Sequence, residues 1–435
     1  MPEATFHFPP DFLWGVATAS HQVEGNNTNN QWWAWEQGEG HIKQACNWWE
    51  NAEEDFDRAA AMGLNALRLS VEWSRIEVEP GRIDTVALER YREMLQALRE
   101  RDIEPMVTLH HFSNPIWFEN QGGWTNQASV TYFNRYVEQV VKALGDETTL
   151  WCTINEPNVY TVMSYMRGEF PPGKEDTRSG VLAFRNLLRA HAKAYQTIHR
   201  IQNDARVGLA HNFRVFDPAR PKHLLDRLAS WVRDLGYNRS VINAIWRGFW
   251  TPPLGFGLAW SLRRSLDWIG INYYTRELVQ FDPQAKEMFY SSEAPNPEAE
   301  MMDGGYGELY PEGLYRAIKR FSRLGLPIYI TENGVPDDDD DQRPKALILH
   351  LHQIWRALQQ NIPVRGYYHW TLVDNFEWAE GWTLRFGLIE LDPETQERHP
   401  RPSADLYTAM VQGNSISPAT LDAYAPALRD TLLPE

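Results

Sequence analysis

A chain of 435 residues, 43% of them hydrophobic, has ample material for a large core. Its formal net charge of −16, without a large basic block, argues against nucleic acid and anionic membrane surfaces as partners. Two cysteines, Cys46 and Cys152, are too few for a disulfide framework or a cysteine-rich metal site, and no apolar run is long enough to cross a bilayer.

The first ten residues carry neither a basic start nor an apolar core, so no signal peptide is read and the cytoplasm is the expected location. From there, short apolar runs recur, each followed by helix-period sequence. The predicted strands are Phe12 to Thr18, Ala66 to Ser70, Glu104 to His110, Leu150 to Asn155, Arg206 to Ala210, Asp267 to Asn272, Ile328 to Glu332 and Gly366 to Trp370. Between them, Leu88, Tyr91, Leu95 and Leu98 mark one apolar helix face, with Asp84 as its N-cap. Leu347, Leu351, Ile354 and Leu358 mark another. Strand alternating with helix in this way predicts a closed (β/α)8 TIM barrel of the α/β class, as a single domain over 1–435. A doubly wound open sheet usually carries a Gly-rich phosphate turn after its first strand. Here that position reads Ala17-Thr18-Ala19-Ser20, which is not such a turn.

Three connections, 19–65, 211–266 and 273–327, are long and are expected to wall the C-terminal face of the barrel. The acidic run Asp337 to Asp341 reads as a solvated loop, because it lacks the Gly turn and distal Glu of a calcium loop. Glu53, Glu54, Asp55 and Asp57 read as the wet face of a helix. Nineteen tryptophans fit either a large aromatic core or a site whose rings stack on the apolar face of a sugar.

Polar residues gather where the predicted strands end: His111, Asn155 and Glu156, Asn272 and Tyr274, Glu332, and Trp370. On a barrel these ends converge, so Glu156 and Glu332 are expected to share one pocket. Two carboxyls are what glycosidic bond hydrolysis needs, one to give a proton to the leaving oxygen and one, ionised, to attack or to activate water. Arg68, at the end of the second strand, and Tyr274 are the candidates to hold Glu332 ionised, although Arg68 also fits a structural ion pair inside the barrel. Glu156 then feels the charge of Glu332 and stays protonated. His110 and His111, adjacent in the chain, point to opposite faces of a strand. There is no His-Glu-x-x-His pattern and no Gly-x-Ser-x-Gly turn, so neither a metal site nor a serine nucleophile is expected.

With these residues in hand, the chain resembles glycoside hydrolase family 1, the retaining β-glucosidase and β-galactosidase family. The motifs that carry the resemblance are Phe12–Gly25 (FLWGVATASHQVEG), Thr108–Phe112 (TLHHF), Thr153–Pro157 (TINEP), Gly270–Thr275 (GINYYT), Ile330–Gly334 (ITENG), His369–Trp378 (HWTLVDNFEW) and Arg385–Leu388 (RFGL). The resemblance implies a (β/α)8 barrel, no cofactor, Glu156 as general acid/base and Glu332 as nucleophile. It places Gln22, His111, Asn155, Glu377 and Trp378 in the glycone site, Trp370 as the platform under the sugar, and Asn272 and Tyr274 beside the nucleophile. Small β-glycosides are the implied partners. The expected substrates are β-D-glucosides, both cellobiose-type oligosaccharides and aryl or alkyl glucosides, with β-galactosides and β-fucosides as side activities. His21 stands where the family commonly has Tyr, Phe112 where Trp is frequent, and Asn158 where some members carry a Trp that contacts the aglycone. Two alternatives share the barrel: a 6-phospho-β-glycosidase, which an anionic Glu377 opposes, and a non-catalytic sugar-binding relative, which typically lacks one of the two glutamates.

Overall fold

The computed structural model describes residues 5–36, 41–285 and 289–433. The start of the predicted signal-free segment, residues 1–4, and parts of two long connections, 37–40 and 286–288, lie outside the described residues. Eight parallel strands close into a barrel: β1 (Leu13–Ala17), β2 (Ala66–Ser70), β3 (Glu104–Thr108), β4 (Leu150–Asn155), β5 (Arg206–Asn212), β6 (Trp268–Asn272), β7 (Ile328–Asn333) and β8 (Val364–His369). Neighbours in sequence are neighbours in space, and β8 pairs with β1 through Tyr367↔Trp14. Nearly every strand residue is buried, because side chains fill the barrel on one face and pack under helices on the other.

All eight predicted strands exist, Ala66–Ser70 and Leu150–Asn155 with the expected ends and the other six with shifted ones. β5 continues past Ala210 to Asn212, and β8 starts at Val364, ahead of the exposed Arg365 that masks its periodicity. The predicted helices form as well. Asp84 caps Thr85–Arg99 by accepting from the backbone N–H groups of Val86 and Ala87, and Leu88, Tyr91, Leu95 and Leu98 are buried on its inner face. In Arg343–Leu358, Leu347, Leu351 and Ile354 are buried and Leu358 packs at the edge. Among the described residues, no helix is long and apolar enough to cross a membrane.

The long connections do carry their own elements. Val215–Pro218, Arg276–Phe281 and Ser291–Glu293, from the connections after β5 and β6, join into a three-stranded sheet. The connection after β1 holds Ser20–Glu24, Gln31–Trp35 and Trp48–Ala61.

Two acidic stretches depart from the solvated reading. Asp55 is fully buried and accepts from the Trp48 indole at 2.7 Å, Arg58 at 2.8 Å and Arg398 at 3.1 Å. Within the run 337–341, Asp337 is buried and accepts the backbone N–H groups of Gln342 and Arg343 at 2.9 and 2.7 Å, capping the helix that follows. Asp340 is also buried, paired with the buried Arg343 and accepting the Ser403 N–H at 2.7 Å. These carboxylates find cations and N–H donors inside, which lets them leave water.

Candidate active site

Both glutamates stand at C-terminal strand ends, where the ladder is irregular. The register shifts between Cys152 and Asn155 in β4, between Ile271 and Asn272 in β6, and between Ile330 and Asn333 in β7. Such irregularities re-aim side chains, and here they fall on the segments that carry Asn155, Asn272 and Glu332. Glu156 follows directly, in a left-handed conformation (φ 41°, ψ 58°), with Pro157 opening the next helix. For a non-glycine residue that conformation costs about 1–2 kcal/mol. Its N–H bond to the Ala210 carbonyl on β5, at 2.8 Å, helps to hold it.

Glu332 is held at both oxygens. Arg68, fully buried on β2, donates to Oε1 at 2.6 Å, and the Tyr274 hydroxyl donates to Oε2 at 2.8 Å. The Arg68 guanidinium also donates to Asn155 Oδ1 at 2.7 Å, Thr108 Oγ1 at 3.0 Å and the Thr331 carbonyl at 3.2 Å. The two readings of Arg68, structural pair and support for Glu332, describe one contact. Burial raises the Glu332 carboxyl above its ordinary value, while Arg68, Tyr274 and Asn272 pull it down.

Among the described residues, no cation pairs with Glu156. Its Oε1 accepts from Asn212 Nδ2 and from Asn272 Nδ2, both at 2.8 Å. Burial first, then the charge of Glu332, pushes its carboxyl up to about 8. The group bonded to Arg68 is therefore the more acidic of the two, and Glu156 is the one protonated at neutral pH.

The other predicted residues line the same mouth. Asn155 bridges Arg68 and His111, donating to His111 Nε2 at 2.9 Å. Burial, helped by Arg68, holds His111 well below its ordinary value, so it is neutral. Its neighbour His110 points away, bonding Asn114 at 3.0 Å, as the strand alternation requires. Gln22 donates to Glu377 Oε2 at 3.0 Å and to the Phe376 carbonyl at 2.9 Å. Burial pushes the Glu377 carboxyl up to about 8, with Gln22 and the Trp370 indole opposing that rise. Trp378 lies over His111, with ring centroids 5.8 Å apart, and packs on Phe112 at 5.0 Å. Two buried polar atoms here, Gln22 Oε1 and His111 Nδ1, have no protein partner among the described residues.

Three departures from the family pattern resolve into contacts. His21 stacks on Trp378 with its Nε2 3.0 Å from Glu36, and Phe112 packs behind the same indole. Asn158 turns inward and is buried, donating to the Asn212 carbonyl at 2.9 Å. Asn212 itself was not among the predicted site residues. It sits at the end of β5, a strand for which the sequence reading gave no polar tip. Of the described residues, Asp337, Asp339 and Asp341 are the carboxylates able to share a cation, with oxygens within 4.8 Å of one another. None of them belongs to the paired glutamates.

Two carboxyls, one tied to a buried cation and one kept neutral by its surroundings, at the mouth of a parallel barrel are the equipment of an O-glycosyl hydrolase. Comparison with known proteins narrows the class. The family model for glycosyl hydrolase family 1 matches residues 4–416, and the chain belongs to that family. It is 33% identical to beta-glucosidase A of Thermotoga maritima over 94% of this chain and 98% of that one. It is 31% identical to a beta-galactosidase of Sulfolobus acidocaldarius over 94% of this chain and 96% of the relative. Among solved structures, the beta-glycosidase from Pyrococcus horikoshii superposes with a TM-score of 0.90 at 36% identity, covering 97% of this chain and 98% of that one.

Proposed function

We propose that this family 1 enzyme hydrolyses β-D-glucosides by double displacement, with Glu332 as the nucleophile and Glu156 as the general acid and then base. The asymmetry between the two carboxyls carries this reading. Arg68 and Tyr274 hold Glu332 as an anion aimed from the strand end, while Glu156 accepts from two amides among the described residues and keeps its proton. In the first step the Glu332 carboxylate attacks C1 as Glu156 protonates the departing oxygen. Esterification removes the charge of Glu332, the Glu156 carboxyl becomes more acidic, and it takes a proton from the water that releases the sugar.

Gln22, His111, Asn155, Glu377, Trp370 and Trp378 form the glycone site in this reading. The unpartnered Gln22 Oε1 and His111 Nδ1 suit a ligand rich in hydroxyls. Some relatives are named beta-glucosidases and others beta-galactosidases, which supports tolerance at C4 in this fold and makes β-galactosides and β-fucosides further substrates in this reading. A 6-phospho-β-glycosidase is disfavoured. With Glu377 pushed up to about 8, its charge alone does not repel a phosphate. The groups that hold Glu377 are an amide and an indole rather than a cation, leaving a phosphate dianion without a partner.

The test is to trap the intermediate with a 2-deoxy-2-fluoro-β-glucoside bearing a 2,4-dinitrophenyl leaving group. Peptide mapping is expected to find the fluoroglucosyl ester on Glu332. An ester on another residue, or a water-only reaction with no ester, overturns the assignment.

A further inference from the structure

The acid proton of Glu156 has two oxygens to choose between, and only one of them leads to the leaving group. Oε1 receives two N–H donors, from Asn212 and Asn272. An oxygen already accepting two N–H bonds is a poor place for a hydroxyl proton, which would point into those donors. Oε2 accepts no hydrogen bond from the described residues.

That preference depends on which way round the two amides stand, since a flipped amide presents its carbonyl to Oε1 and draws the proton there. Each amide oxygen meets a hydroxyl on its other side, and Asn272 Nδ2 also donates to Asn155 Oδ1 at 3.0 Å, an oxygen that accepts from Arg68. The Tyr237 hydroxyl donates to Asn212 Oδ1 at 2.8 Å, and the Thr331 hydroxyl donates to Asn272 Oδ1 at 2.6 Å. Asn158 fastens the first pair from behind, donating to the backbone carbonyls of Asn212 and Tyr237 at 2.9 and 3.4 Å.

We infer that Tyr237 and Thr331 are positioning residues for acid catalysis: their hydroxyls lock the Asn212 and Asn272 amides with N–H groups toward Glu156 Oε1, and so confine the proton to Oε2. From Oε2 the proton passes to the glycosidic oxygen as the C1–O bond breaks and the Glu332–C1 bond forms. This inference rests on the double-displacement reading above and goes beyond it in naming which oxygen acts and what decides it.

Tyr237→Phe tests it in the full-length enzyme. The ring packs edge-on against Phe216 with centroids 5.6 Å apart, so the substitution removes one hydroxyl and little else. The other groups facing Glu156, namely Glu332, Arg68, Tyr274, Tyr306 and Glu377, stay in place. For methyl β-glucoside, which needs the acid, kcat/KM is expected to fall about 2- to 10-fold, the scale of one neutral hydrogen bond. For 2,4-dinitrophenyl β-glucoside, which leaves unaided, kcat/KM is expected to hold. The alkaline limb for the methyl glucoside moves to higher pH, because a carboxylate that loses an N–H donor becomes less acidic. Thr331→Val is isosteric and reads the second lock by the same signature, should the first variant fold poorly. Equal losses on both substrates, or an unmoved alkaline limb, would overturn the inference. Those results would leave the double-displacement reading standing, because that reading is tested separately on the wild type, by the trapped ester and by the anomer released first.

Discussion

Tyr274→Phe probes how Glu332 is kept ionised. The hydroxyl removed donates to Glu332 Oε2 at 2.8 Å in a buried site. A hydrogen bond to a charged group contributes about 1.5–3 kcal/mol. At 1.36 kcal/mol per pH unit, its loss raises the carboxyl by about 1–2 units. The sign follows from which form is bonded: the hydroxyl stabilises the anion, so without it protonation is easier and the nucleophile ionises only at higher pH. The acid limb of kcat/KM for an aryl β-glucoside is therefore expected to move up by about 1–2 units, while the alkaline limb stays close to its wild-type position. Arg68 remains on Oε1, so activity persists on the plateau at reduced rate. The assay is kcat/KM measured across the full pH range with wild type and variant side by side. An acid limb that stays fixed while the whole profile drops would refute the reasoning. Tyr274 would then shape the pocket without holding the charge.

Two further perturbations separate the other roles. Glu156→Ala should slow an alkyl glucoside by about 10²–10⁴-fold, the usual contribution of a general acid, yet spare formation of the covalent intermediate from a dinitrophenyl glucoside. Added azide should then yield a β-glycosyl azide, and wild-type behaviour on the alkyl glucoside removes the acid assignment. Asp55→Ala should lower stability by about 3–5 kcal/mol in urea unfolding, because it strands the largely buried Arg398 without its carboxylate. A change under 1 kcal/mol would mean that Arg398 escapes to water.

The barrel was legible because parallel strands buried on both faces read as apolar runs, and their polar tips read as site residues. That rule found Glu156, Glu332, Asn155, Asn272 and His111. It failed at β5, where the run was closed at Ala210 and the last two residues, His211 and Asn212, were assigned to the loop. Asn212 was lost with them, and the Tyr237 hydroxyl behind it lies on a loop helix with no pattern pointing back to the site. Asp55 was misread for a related reason. Its local sequence is that of a wet helix face, and beside the nearby Arg58 and Trp48 its burial rests on a second cation, Arg398, that comes 343 residues later. Local pattern reports which residues prefer water. It does not report which of them meet a distant partner able to replace it.

The most direct measurement is proton NMR during hydrolysis of an aryl β-D-glucoside, recorded before mutarotation mixes the products. Double displacement on Glu332 predicts that β-glucose appears first and α-glucose only later, as the anomers equilibrate. If α-glucose appears first, water attacks C1 directly, Glu332 is a base and not a nucleophile, and the account of the two carboxyls is wrong.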